Sequence, residues 1–363
     1  MTDLFYLPEN LLHLQPSVEK TDDNSELQIY SYRSCNNESP DDLKAYRGLI
    51  FDGTVLVASS LGFTPEYNEE TMSTIPHSNL SDYAFFPAEE GTLLRVFHYK
   101  KWYLSTHRKL DAFKSRWGSN ESFGDIFLKC IGKTFEEFTE NLCIYNVYFF
   151  LIRNTQETRI VSNAPNTNIV YHIGTLVSNE TFDMTTSIGV PKQNELSFAS
   201  VEDVRGYVET CDPFQTQGVI AFKKDGSGKH FKIIRSLYQN YVCIRNNEPD
   251  TGFRFLELLR DQSSPLFHTF LILYPQYLNK VLPTMNFTFK IAKHLHNMYF
   301  KKFVKKEKLV CQKDEWSILS NVHQWFWAER TTRKVTFEVM HKLALSDANI
   351  RAFYRIMKIV TSK

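Results

Sequence analysis

The stretch "VIAFKKDGSGKHFKII", Val219 to Ile234, places a lysine amine beside an aspartate, a glycine and a serine: Lys223-Lys224-Asp225-Gly226-Ser227. An amine next to a carboxylate and a flexible, hydroxyl-bearing loop could attack an electrophile such as phosphorus. The same residues have a local explanation. Asp-Gly between two β-rich runs, "GVIAFKK" and "KHFKII", is a strong hairpin-turn signal, because glycine supplies positive φ without strain. That reading makes Lys223 and Lys224 solvated residues at a hairpin tip. Other chemistry is sparse. His294 and His296 stand two apart, not the i, i+4 spacing of a helical metal pair, and read as structural. Cys35, Cys130, Cys143, Cys211, Cys243 and Cys311 form no CxxC pair. A zinc ribbon is therefore not expected; small core residues or spare thiols in a reducing compartment are.

The elements that must position these groups change type along the chain. Up to about residue 250, short β-rich runs recur between turn signals. They include "GLIF" (Gly48–Phe51), "TVLVAS" (Thr54–Ser59), "TLLRVFHY" (Thr92–Tyr99) and its hairpin partner "KWYLST" (Lys101–Thr106). "NVYFFLIR" (Asn146–Arg153) and "TRIVS" (Thr158–Ser162) flank the polar turn "NTQE", and "NIVYHIGTLVS" spans Asn168–Ser178. Capping boxes at Thr134/Glu137 and Ser200/Asp203 mark helices among the strands. From about Phe253 apolar residues fall three and four apart, through "FTFKIAKHLHNMYFKKFVKKEK" and "EWSILSNVHQWFWAER" to the C-terminus. Ser264-Pro265 and Asp347 are expected helix starts, and Trp325, Phe326 and Trp327 are expected in a helix core. The expected fold class is α+β: an antiparallel-sheet domain with flanking helices over residues 1–248, then a basic all-α domain over 249–363. The boundary lies in "RNNEPDTG" (Arg245–Gly252).

Net charge is +1, but it is divided unevenly. Thr251–Lys363 holds 19 Lys/Arg against 8 Asp/Glu, and the remainder 23 against 33. The second half either meets a polyanion or attracts the first half. Lys301, Lys305 and Lys308 would share one helix face, and Lys302 and Lys306 another, offering phosphate contacts or a merely solvated surface. Arg108 and Lys109, about a helix turn before Lys114 and Arg116 and close to Trp117, read either as a basic stripe for a single strand or as an exposed helix face. No run approaches the roughly 18 apolar residues of a membrane helix. The start, "MTDLFYLPENLL", lacks the pattern of a secretory signal, so an intracellular protein is expected.

Five segments in order carry a family resemblance: "YRGLIFD" (Tyr46–Asp52), "EEGTLLRVFHYKKWYLSTHRKLDA" (Glu89–Ala112), "YFFLIRNTQETRIV" (Tyr148–Val161), "TQGVIAF" (Thr216–Phe222) and "HFKIIRSLY" (His230–Tyr238). The chain resembles the RNA ligase family typified by bacteriophage T4 RNA ligase 1, in particular its divergent relatives in large DNA viruses. The resemblance implies a nucleotidyltransferase domain of the ATP-grasp-like ligase type. It also implies that the true nucleophile loop is the one ending at Gly91. A nucleophile at Lys223 would have only one strand and then helices after it, so no following strands could supply carboxylates and phosphate-binding lysines.

The chemistry transfers unevenly. Ala88 stands where the family has its nucleophilic lysine, followed by Glu90 and Gly91. Phe150 and Gln217 fall at carboxylate positions, and the final strand keeps Lys232 but then reads Ile233-Ile234, with Arg235 next. A methyl group forms no phosphoramide, phenylalanine ligates no Mg²⁺, and glutamine binds it far less well than a carboxylate. No catalytic residue is therefore assigned. Arg47, Glu90, Gly91, Lys232 and Arg235 are the phosphate- or nucleotide-binding candidates. For Arg47 a strand-start salt bridge is the plainer alternative, and for Lys232 a solvated strand lysine. Arg108, Lys109, Lys301, Lys302, Lys305, Lys306 and Lys308 are the RNA-binding candidates. The expectation is a catalytically degenerate protein of viral source that binds RNA, or an RNA-processing or transcription assembly, without sealing ends and without a metal. It would act in the cytoplasm, a virus factory or the virion, with no membrane partner. One alternative is an active ligase with ATP and Mg²⁺ and a displaced lysine, Lys100 or Lys101. Others are a cap or mononucleotide ligand in the old ATP pocket, and an assembly protein that binds neither nucleotide nor RNA.

Overall fold

A computed structural model describes residues 17–75, 79–155 and 160–361. Two compact units, Met1–Val242 and Cys243–Lys363, divide inside a helix rather than in the loop after it.

The first unit is built on three sheets. β1 (Val18–Asp23), β2 (Gln28–Tyr32), β3 (Arg47–Asp52) and β4 (Val55–Ala58) pair in sequence order, with α1 (Asp41–Ala45) before β3. β5 (Glu66–Tyr67) and β6 (Tyr83–Pro87) are the edges of another sheet. β7 (Thr92–Tyr99) and β8 (Lys101–Ser105) form the expected hairpin, with Lys100 at its tip in the left-handed region, φ 56°. Then come α2 (Phe123–Ile131), α3 (Phe135–Thr139), β9 (Val147–Arg153), β10 (Ile169–Val177) and β11 (Thr181–Asp183). These complete a five-stranded sheet in the order β11-β10-β9-β7-β8. α4 (Val201–Thr210), β12 (Gly218–Lys223) and β13 (His230–Ile234) follow, giving the order β5-β13-β12-β6. Among the described residues only β5 and β13 run parallel.

Strand periodicity sorts the side chains into layers. Leu27, Ile29 and Ile50 of the first sheet region meet Phe97, Val147 and Phe149 of the second and Phe222 of the third in one interior core. The far face of the five-stranded sheet carries Leu94, Val96, Tyr148, Phe150 and Ile152 under α2 and α3, which supply Ile126, Phe127 and Phe138. α4 covers the far face of the third sheet with Val204 and Val208. The boxes at Thr134/Glu137 and Ser200/Asp203 cap α3 and α4.

Thr158–Ser162 departs from expectation. Thr158 lies outside the described residues; Ile160–Ser162 are loop, and β9 pairs with β7 and β10 instead.

α5 (Ser236–Arg245) spans the division between units. The second unit is all helix: α6 (Thr251–Leu259), α7 (Pro265–Leu273), α8 (Val281–Tyr299), α9 (Lys313–Ala328), α10 (Phe337–Ala344) and α11 (Ile350–Thr361). Its core joins Phe253, Leu256, Leu295, Ile318, Leu319, Met340 and Phe353. Ser264 caps α7 with Pro265 at its first position. Asp347 is not a helix start: its carboxylate pairs with Arg260 at 2.6 Å and α11 begins at Ile350. α8 stops short of Lys308. A π-turn, Phe300–Val304, follows Tyr299, Lys305 N–H donates to the Phe300 carbonyl, and Glu307 N–H reaches back to Lys301. Lys306 takes φ 58°, the left-handed residue that closes such a helix end.

Candidate functional site

β6, β12 and β13 set one phosphate-binding candidate, Lys232, against Ala88. Phe86, Ile220 and Lys232 are successive cross-strand partners and therefore share one face. Ala88, two residues after Phe86, joins that face. Its backbone is strapped to β12: Ala88 N–H donates to the Gly218 carbonyl, and the Ala88 carbonyl accepts from Gln217 N–H and the Thr216 hydroxyl. A side chain at 218 would place its Cβ 2.2 Å from the Ile233 carbonyl oxygen, so this crossing requires glycine. Gly91 lies equally close to β9, where a Cβ would meet the Ile152 carbonyl at 2.6 Å.

Lys232 Nζ donates to Gln217 Oε1 at 3.0 Å. Burial pushes the amine below its ordinary pKa; Glu66 and Glu90 oppose the shift and Arg47 adds to it. Arg47 does not make the strand-start salt bridge. Its guanidinium donates to Thr64 Oγ1 (2.8 Å) and the Gly62 carbonyl (3.3 Å). Thr64 in turn lies 2.8 Å from His230 Nε2, while His230 Nδ1 faces the Gly228 carbonyl at 2.8 Å. A carbonyl can only accept, so Nδ1 carries the proton and Thr64 donates to Nε2. Burial keeps this imidazole neutral, its pKa lowered to about 4. Lys232 and Arg47 thus place two cations near one another, and neither pairs with a carboxylate within 4 Å among the described residues.

The loop acids face elsewhere. Glu89 pairs with Arg153. Glu90 accepts backbone N–H groups from Ile160, Val161 and Ser162, and the Tyr238 hydroxyl at 2.9 Å. Arg235 turns away from the pocket: its backbone N–H donates to the Gln217 carbonyl and its guanidinium to the Cys211 carbonyl.

Phe150 requires a correction. It is fully buried on the α2/α3 side of β9, with Phe127 and Phe138 ring centroids 5.1 and 5.8 Å away. The residues of β9 against Gly91 are Leu151 and Arg153, on the opposite face. Assigning a strand position one residue off exchanges faces. Leu151 and Phe149, the alternatives on the interior side, are equally unable to ligate a cation. Among the described residues no three His, Cys, Asp or Glu side chains converge to hold a metal. The donors nearest Lys232, the Gln217 amide, Glu66 and the already bonded Glu90, form no convergent set for a divalent ion among the described residues.

The basic candidates divide. Arg108 and Lys109 lie in a turn, not on a helix, and are paired with Glu19 and Asp22, each at 3.3 Å. Lys100 pairs with Glu26 at 2.7 Å and Lys101 stands over the Tyr103 ring, both at the β7–β8 tip. Lys223 pairs with Asp225 beside the Asp-Gly turn. In the second unit, Lys305, Lys306 and Lys308 follow the helix end, so the shared helical faces do not form. Trp327 is 52% exposed and Trp325 and Phe326 are only half-buried, so this aromatic triplet is not core. The spacing of the buried Ile318, Leu319 and Val322 carried that signal in the sequence: it puts Trp327 off the packed face.

The first unit is thus an α+β unit of mainly antiparallel sheets, followed by an all-α unit, and no family model matches the chain. Two curated relatives are immediate-early protein ICP-46 homologues. That of Invertebrate iridescent virus 3 is 32% identical over 271 residues, covering 70% of this chain and 59% of the relative. That of Invertebrate iridescent virus 6 is 29% identical over 317 residues, covering 78% and 68%. The chain therefore spans about three-fifths of the length of the first of these viral proteins. Among solved structures it is similar to two forms of an archaeal ATP-dependent RNA ligase. One has a TM-score of 0.39 and 11% identity, covering 73% of this chain and 69% of the other; the second has 0.38 and 10%, covering 76% and 72%. Among the described residues no helix is long and apolar enough to cross a membrane.

Proposed function

We propose that this chain is a non-catalytic relative of the RNA ligases: its first unit holds a phosphate-bearing ligand over Arg47 and Lys232 without forming a covalent adenylate, and the chain binds single-stranded RNA without sealing ends. The observation that carries this reading is the face shared by Ala88 and Lys232. A buried methyl stands where covalent chemistry would need an amine, and the remaining amine is held by the neutral Gln217. Two cations with no carboxylate partner within 4 Å among the described residues favour an anionic ligand.

The test is incubation with Mg²⁺ and ATP radiolabelled at the α-phosphate, followed by denaturation. The expected result is unlabelled protein, together with a rise in Tm on adding ATP that Arg47→Met and Lys232→Met each diminish. A stable adenylate on any lysine would overturn it.

A second reading has one observation in its favour. Lys232 is an amine whose burial favours the neutral, nucleophilic form, on the same face as Ala88. A ligase with its nucleophile displaced to β13 would show label at Lys232, lost in Lys232→Met. Lys100 and Lys101, exposed at a hairpin tip, are poorer candidates for that role.

A further inference from the structure

α9 presents an aromatic stripe to solvent. Its packed face is Glu315, Ile318, Leu319 and Val322; Trp316, His323 and Trp327 lie along a neighbouring line. Trp316 and Trp327 are 45% and 52% exposed, where an ordinary surface helix would carry polar residues. Phe303, from the π-turn, stacks on both Trp316 (6.2 Å, 21°) and His323 (3.9 Å, 19°). His323 is fixed through both nitrogens. Trp327 Nε1–H donates to Nε2 at 2.6 Å, so Nδ1 carries the proton and donates to the Tyr299 hydroxyl at 3.1 Å. The rings are therefore held in place before any partner arrives.

Cations stand on the same rings. Lys302 lies 4.7 Å from the Trp316 ring centre, Arg330 5.2 Å from Trp327, and Lys305 5.6 Å from the nearby Phe300. Among the described residues none of Lys301, Lys302, Lys305, Lys306, Lys308 and Arg330 makes an ion pair within 4 Å. An apolar protein groove closing over this stripe would bury those charges uncompensated. A single nucleic-acid strand would neutralise them with phosphates and offer flat bases to the exposed Trp316 and Trp327 rings.

We infer that the exposed Trp316 and Trp327 rings, braced by Phe303 and His323, are a base-stacking platform for single-stranded RNA, with Lys302, Lys305 and Arg330 holding the phosphates. This rests on the RNA binding proposed above and assigns it a site.

The experiment measures fluorescence anisotropy of a labelled RNA of about a dozen nucleotides, and of an abasic strand of the same length, on the full chain. It compares wild type, Trp316→Ala/Trp327→Ala and Trp316→Phe/Trp327→Phe, with unfolding midpoints confirming that each is folded. The expected loss is about tenfold per ring for intact RNA in the alanine pair. The phenylalanine pair is expected to recover most of it, and the abasic strand to bind wild type and alanine pair alike. Wild type that binds RNA while the alanine pair binds it equally well sinks the platform and leaves the proposed function standing. An equal loss on the abasic strand also sinks it. Wild type that binds neither strand overturns both readings.

Discussion

At the residue scale, the pocket is defined by what its side chains already touch. Glu90 was expected to face a ligand, and instead three successive backbone N–H groups and Tyr238 claim its carboxylate. Charge-assisted bonds of this kind stabilise by about 1.5–3 kcal/mol each in favourable settings, so Glu90→Ala is expected to lower the urea midpoint and to release the amides of 160–162 to hydrogen exchange. A variant with unchanged exchange there would show that the loop is held otherwise. His172 and His230 make a pH prediction. Both are neutral in the fold, each pKa lowered from 6.5 to about 4 chiefly by burial. Between those values the unfolded chain binds more protons, so stability is complete above pH 6.5 and falls as the solution is acidified toward about 4. Urea titrations across that window check the sign, and His172→Phe should flatten part of the slope. Several partners that decide these roles lie far off in sequence: Arg108 and Lys109 find Glu19 and Asp22 across 89 and 87 residues.

Elements were more legible than residues, for a reason visible in each case. The β7–β8 and β12–β13 hairpins and the capped starts of α3, α4 and α7 are local devices, complete within a few neighbouring residues. Phe150 shows the opposite. A run as apolar as "VYFFLIR" is buried on both faces, so alternation gives no sign of which side meets the pocket. Phe150→Ala is accordingly expected to cost about 3–5 kcal/mol of stability, read as a lower Tm, with little direct effect on ligand affinity. A ligand affinity that falls with Tm unchanged would return it to the pocket. The end of α8 was hidden because lysines sustain helical propensity through Lys308, and only the positive φ at Lys306 marks the stop. Lys306→Gly should raise stability by up to about 1 kcal/mol and Lys306→Val should lower it, measured by thermal unfolding.

For the whole molecule, the uneven charge was the plainest signal in the sequence, and it coincides with the change from sheet to helix. Its expected consequence is a steep loss of RNA affinity with salt, about 0.7 in log–log slope for each phosphate contact. Lys302→Gln and Lys305→Gln together should reduce that slope by about 1.4, whereas removing the tryptophans should leave it unchanged. The pocket in the first unit has a consequence of a more practical kind. Under the proposed function, Arg47 and Lys232 would serve as an oxyanion trap with no carboxylate within 4 Å among the described residues. On that proposal phosphate- or sulfate-based solutions would fill the trap and silence a nucleotide response, so the binding measurements call for chloride salts and an organic amine buffer.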